Sequence, residues 1–313
     1  MTKLVQTLMD GLAVGGLYAL VALGYTMVYG ILKFINFAHS DVFVLGAWLS
    51  FTVAVHLLGL GLSSAGAVAA PWWALPVVLI SAMAACGVAG FLIERLAYRP
   101  LRNAPRLNVL ITAIGVSLLL QNTGQLRIFF GPYPKRMPTL VPDVALGQIA
   151  GVRIPLVDVL VIATALLLML ALEWLIFRTK LGRAMRAVSF DTSIAALMGV
   201  NVNRVISFTF VLGSALAAAA GLLYALKYPA GLKQPADTSW VMMGLKAFVA
   251  AVVGGIGNVR GAMLGGLLIG LLEFFGVAYF DPLYRDVYVF SLLILVLLFR
   301  PTGILGRPAV EKV

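Results

Sequence analysis

Apolar runs about as long as a bilayer is thick alternate with short polar clusters along the whole chain. A helix needs about 20 mainly apolar residues to cross the hydrocarbon core. On that length the candidate spans are residues 4–29, 42–62, 75–93, 107–126, 155–177, 205–226, 241–256, 261–280 and 287–299. The segments 241–256 and 287–299 are short, so one of them is expected to be tilted or re-entrant. The pattern predicts an all-α polytopic transmembrane helical bundle of about eight to ten spans, with residues 1–313 forming one membrane domain and no separate polar domain. The first run has a single early lysine, Lys3, and is too long for a signal-peptide core of about 7–15 residues. It reads as a retained span.

Composition agrees with this pattern. Of the 313 residues, 62% are apolar and 11% charged, against about 25% charged in an average soluble domain. The net charge of +11 does not suggest nucleic acid, because the cations sit in short clusters between apolar runs. Arg95, Arg99, Arg102 and Arg106 crowd one loop. Arg178, Lys180, Arg183, Arg186 and Arg204 crowd a second, and Arg300, Arg307 and Lys312 a third. The positive-inside rule assigns all three to the cytoplasm. The Pro- and Gly-rich stretch 130–154 then falls outside, although it carries Lys135, Arg136 and Arg153. Nine crossings would put the N-terminus outside as well.

Helix contacts should be close. Gly11 with Gly15, Gly261 with Gly265, and Gly266 with Gly270 are small residues four apart, and residues 217–221 form another smooth face. Enzyme signatures are missing from the sequence. His39 and His56 are not at metal-ligand spacing, no Gly-x-Ser-x-Gly elbow occurs, and no Gly-Lys pair marks a phosphate loop. The glycine-rich stretch 254–261 reads as a tight turn between spans. Cys86 reads as a small core residue. No catalytic, cofactor or metal site is expected.

Polar groups at membrane depth are costly and therefore informative. Asn36, His39, Ser40 and Asp41 lie between two apolar runs. They read either as a cytoplasmic loop capping the next helix or as a broken helix facing a water-filled path. Gln121 and Gln125 share a helix face, with Asn122 beside them, suited to interhelical hydrogen bonds or to lining a path. Asn36, His39, Asp41, Gln121 and Asn122 are thus the candidates for a translocation path. Glu273 and Lys246 are expected to form a structural pair, or the lysine to snorkel, in preference to a proton relay. In the second arginine cluster, Asp191 is a good N-cap, 192–198 a short helix and Gly199 its stop. Ile194, Leu197 and Met198 would then be exposed on the cytoplasmic side, as a knob for another protein or as a helix lying in the membrane interface.

At these residues the chain resembles a known family, the LivH-type permease subunits of branched-chain amino acid ABC transporters. The match rests on GGLYALVALGYTMVYGILKFINFAHSD from Gly15, ERLAYRPLR from Glu94, IGVSLLLQN from Ile114, GRAMRAVS from Gly182, AALMGVNVNRV from Ala195 and GGIGNVRGAMLGGLLIG from Gly254. Relatives usually carry Gly-Glu where this chain has Ser40-Asp41, and often an acidic residue where Phe190 stands. The resemblance implies the all-helical fold of such importer permeases in a bacterial inner membrane. It implies a second homologous permease subunit, two cytoplasmic ATP-binding subunits and a periplasmic substrate-binding protein as partners, besides membrane lipid. Residues 182–201 take the place of the family's ATPase coupling segment, which assigns that role to Gly182, Arg183, Arg186, Asp191, Ala195, Ala196, Leu197 and Gly199. The implied cargo is a branched-chain or related amino acid. Urea, short amides and aromatic acids are the alternatives within the family, and an ion-coupled secondary transporter the alternative outside it.

Overall fold

A computed structural model describes residues 2–60, 70–102, 104–142, 144–149 and 152–306. Arg307 and Lys312 of the third basic cluster, and the end of the apolar run 42–62, lie outside the described residues. The chain forms α1 (Thr2–Leu32), α2 (His39–Thr52), α3 (Ala74–Ile93), α4 (Arg106–Gly124), a hairpin of β1 (Ala145–Ile149) and β2 (Val152–Pro155), α5 (Leu156–Arg178), α6 (Lys180–Phe190), α7 (Thr192–Leu197), α8 (Val202–Lys227), α9 (Thr238–Gly254), α10 (Val259–Tyr279) and α11 (Arg285–Phe299). Among the described residues, eight helical segments are long and apolar enough to cross a bilayer. The 17-residue α9 is a shorter ninth, as its sequence suggested. The protein is a multi-pass membrane protein.

Two differences from the sequence reading have physical causes. The second span starts at His39, three residues earlier than its apolar run, because His39, Ser40 and Asp41 are buried in the first turn of α2 instead of forming a loop. It also passes into a wide π-turn at Val53–Leu57. The stretch 130–154 contains the antiparallel hairpin β1–β2, pairing Gln148 with Arg153. It is a small β addition to a helical bundle.

The two ends of the bundle are marked by contacts. At one end the Ser189 hydroxyl donates to the Gly30 carbonyl, the Asn258 amide to the Leu305 carbonyl, and Arg102 to Asn203. This end holds the arginine clusters. At the other, Lys227 bridges Asp10 and Asp158 at 2.8 and 2.6 Å, Lys3 sits 5.1 Å over the Tyr279 ring, and the Lys135 amide donates to the Leu232 carbonyl. The start of α1 therefore lies opposite the arginine clusters, where nine crossings place it. We expect a cysteine at exposed Arg183 to be labelled only from the cytoplasm and one at Gly147 only from outside. Labelling of Arg183→Cys from outside would invert the whole orientation. Arg102 is a poorer reporter, because its guanidinium is held by Glu94.

The interior is built by close backbone approach. Helix α1 is buried along almost all of its length from Gly11 to Ile31. It crosses α10 through Gly11, Gly15, Gly266 and Gly270. A Cβ on Gly15 would lie 3.0 Å from the Leu267 Cα, and one on Gly270 would collide with the Gly15 backbone. Helices α2 and α8 meet in the same way at Gly46 and Gly221, against Ala218 and the Phe43 carbonyl. In lipid, where no hydrophobic effect drives helices together, such contacts supply the packing. The stretch 254–261 is the tight turn its glycines suggested: Gly255 and Gly257 have φ of +110° and +94°, which a side chain would strain. Cys86 is buried and unpaired.

The buried charge of Glu273 is compensated. Glu273 of α10 is fully buried. It accepts from the Tyr18 hydroxyl of α1 at 2.8 Å, from Lys246 of α9 at 2.8 Å, and from Arg285 of α11. Lys246 also reaches Asp286 at 2.6 Å. The two residues pair, in the structural manner their sequence positions favoured.

Candidate functional site

The break between α1 and α2 is a short return of the chain into the bundle. Lys33 takes a left-handed φ of 56°, rare outside glycine, and the following residues climb back beside α1. His39 then lies against Gly24, where a Cβ would collide with its ring, and near Gly213 in the middle of α8. From Gly24, α1 continues to Leu32, about 12 Å at 1.5 Å per residue. Ser40 packs on Gly244 in the middle of α9. The start of α2 therefore sits at membrane depth, as the broken-helix reading anticipates, with its helical N-terminus inside the bundle.

The polar side chains of this break are buried. Asn36 is 4%, His39 2% and Asp41 5% exposed. The Tyr98 hydroxyl donates to Asn36 Oδ1 at 2.5 Å. The His39 ring meets Tyr25 edge to face at 4.9 Å, and its Nε2 has no hydrogen-bond partner in the protein. Gln121 of α4 donates to Asp41 Oδ1 at 2.8 Å, while Asp41 Oδ2 has no protein partner. Beside Asp41 is a cavity of about 20 Å³ lined by Trp48, Leu120, Gln121, Phe130 and Pro235, with Trp48 and Phe130 stacked at 5.3 Å. That volume holds about one water molecule. Asn122 is on the other side of α4. It is exposed and bonds back to the Leu118 carbonyl at 2.7 Å, so the structure brings together Asn36, His39, Asp41 and Gln121 without it. Asp237 caps α9; its bonds from the Ser239 hydroxyl and amide hold its carboxyl below the usual range.

The second region is the arginine-rich elbow of α6 and α7. The Thr179 hydroxyl caps α6, accepting from the Gly182 amide at 3.0 Å. A side chain at Gly182 would collide with the carbonyls of Leu175 and Ile176. Arg186 turns back to the Ile176 carbonyl and lies 5.4 Å from the Phe177 ring, and Arg183 is exposed. Asp191 ends α6 and opens α7, accepting from the amides of Ser193 and Ile194 at 2.8 and 3.0 Å. Gly199, at φ +79°, closes α7: its amide donates to the Ala196 carbonyl and that of Val200 to the Ala195 carbonyl. This is a Schellman stop. Ala195 is buried beneath the helix. Phe190, Ile194, Leu197 and Met198 are 83, 51, 87 and 79% exposed, and Ala196 is exposed among them.

A polar path links the two regions. Glu94, fully buried below α3, accepts from Arg102 and from the Ser207 hydroxyl at 2.6 Å, and Arg102 also donates to Asn203. Asn203 and Ser207 are in the first turns of α8, directly after α7. One turn beyond Glu94, Tyr98 holds Asn36. Glu94 was missed in the sequence. Its signal was a carboxylate at the end of an apolar run beside four arginines, which a surface loop also shows.

Comparison with known proteins bears on this arrangement. Residues 7–298 match the model of a family described as branched-chain amino acid transport system / permease component. The chain belongs to this family. It is 46% identical over 311 residues to the high-affinity branched-chain amino acid transport system permease protein BraD of Pseudomonas aeruginosa, covering 98% of this chain and 97% of that one. It is 43% identical over 311 residues to the corresponding permease protein LivH of Escherichia coli, with the same coverage. A shorter likeness, 29% over 141 residues, covers 43% of the chain and reaches the ribose import permease protein RbsC of Haemophilus influenzae. No solved structure matches. The chain is therefore a transport permease component of the membrane, not an enzyme, and family members of this kind work with an ATPase and a binding protein.

Proposed function

We propose that this chain lines the membrane path of a binding-protein-dependent ABC importer for branched-chain or related amino acids, in the bacterial inner membrane. A second homologous permease completes the path. Two cytoplasmic ATP-binding subunits supply the energy, and a periplasmic binding protein delivers the cargo. The observation that carries this reading is the α7 knob: a short helix capped at both ends, with bulky apolar side chains exposed at the arginine-rich end. Membrane-interface helices also expose apolar residues, but rigid capping at both ends suits insertion into a fitted cleft. ATP-driven movement at α7 would reach the first turns of α8, then Glu94 and Arg102, and through Tyr98 and Asn36 the start of α2.

Reconstitution in proteoliposomes tests the assignment. Uptake of leucine should need the second permease, the ATPases, ATP and loaded binding protein. Uptake by this chain alone under an ion gradient would show a secondary transporter. His39→Leu should leave the complex assembled, since the ring bonds to nothing through Nε2, yet lower uptake about tenfold by removing the polar atom buried at the break. Uptake at the wild-type rate would make His39 a packing residue.

A further inference from the structure

A carboxylate buried at membrane depth needs a positive partner. Glu94 has Arg102, Asp158 has Lys227, and Glu273 has Lys246 and Arg285. Asp41 is the exception: among the described residues it is the one buried carboxylate with no cation within ion-pair distance. Its partners are neutral: the Gln121 amide donates to Oδ1 at 2.8 Å, the Ser117 hydroxyl lies beside it, and its second oxygen, Oδ2, has no hydrogen-bond partner. Its surroundings are not a site for a protein cation either. Trp48, Phe130 and Leu120 wall the adjoining cavity, and Asp41 and Gln121 are the side chains that bring polar atoms to it. A carboxylate with one free oxygen beside an aromatic wall is the chemistry that recognises an ammonium group: charge and hydrogen bond from one side, aromatic surface from the other.

From this we infer that Asp41, with Trp48 and Phe130, is a transient subsite for the α-ammonium group of the amino acid as it passes α2. The inference rests on the importer reading above and adds the group of the cargo that the path engages. Only one water fits in this cavity, so the ammonium reaches Asp41 when α4 and its Gln121 move away from α2. One charge contact, without an enclosing pocket, holds the cargo weakly enough to release it.

The test uses the full complex in proteoliposomes, with radiolabelled leucine and its binding protein. Asp41→Asn keeps the acceptor for Gln121 and removes only the charge. It should assemble with its ATPases and lose leucine uptake by a factor of about ten or more, while Asp41→Glu restores at least half of it. A second variant, Gln121→Lys, gives Asp41 a resident cation; it should also block uptake, and it needs no change at Asp41. Wild-type uptake in Asp41→Asn overturns the inference. If that variant fails to assemble, wild-type uptake in Gln121→Lys overturns it instead. Failure of the wild-type complex itself to take up leucine would count against the importer reading and is a separate result.

Discussion

Ala196→Trp and Leu197→Asp should leave the chain in the membrane and strip it of its ATPases. Both positions are on the exposed face of α7, away from the buried Ala195 that seats the helix. Neither side chain contributes a hydrogen bond to the caps at Asp191 and Gly199, so the elbow itself should persist. A knob that fits a cleft has no room for an indole, and overpacking a fitted contact costs about 1–3 kcal/mol. An aspartate in place of Leu197 would carry a charge into an apolar cleft. Either change should lower co-purification of the ATPases roughly tenfold or more and abolish hydrolysis stimulated by loaded binding protein. Full recovery of ATPase with normal stimulation would move the coupling contact elsewhere, with the loop around Arg99 next in line.

The second large effect is expected at Glu273, through stability. Its carboxylate is fully buried and takes the Tyr18 hydroxyl, Lys246 and Arg285 together, joining α1, α9, α10 and α11. Glu273→Ala would leave two cations and the Tyr18 hydroxyl around an apolar gap, with only the half-exposed Asp286 to answer Lys246. Removing one partner of a buried ion pair typically costs about 3–5 kcal/mol. The purified variant in detergent should unfold at a clearly lower temperature than wild type, and adding Lys246→Met should recover part of the loss by removing one stranded charge. An unchanged melting curve would mean that the network is not needed for stability.

What the sequence disclosed was local. The elbow helix α7 was legible because Asp191 and Gly199 are short-range signals, a cap and a left-handed stop, flanking the apolar Ile194, Leu197 and Met198. The spans were legible because bilayer thickness sets their length. The small-residue pairs showed that backbones would touch, but not which ones: Gly11 and Gly15 give no hint that Gly266 and Gly270 are their partners. The start of α2 was ambiguous for a related reason. His39 and Asp41 are polar enough to form a loop, and only the three-dimensional neighbours, Gly24 and Gln121, show that they are inside the bundle. Helix α6 was hidden because arginines at helical spacing beside a membrane look like a basic loop. Glu94 was hidden because its partners, Ser207 and Arg102, come from different elements.

The crossing of α1 and α10 also sets a schedule for how the protein is made. Tyr18 and Glu273 are 255 positions apart, and translation proceeds at about 5–20 residues per second. Helix α1 therefore waits about 13–50 s in the bilayer before the helix that packs on its glycine face exists. During that wait its small-residue stripe and the Tyr18 hydroxyl face lipid or a chaperone of the insertion machinery. A chain cut short before α10 would keep that stripe uncovered, giving quality-control proteases a feature by which unfinished copies differ from finished ones.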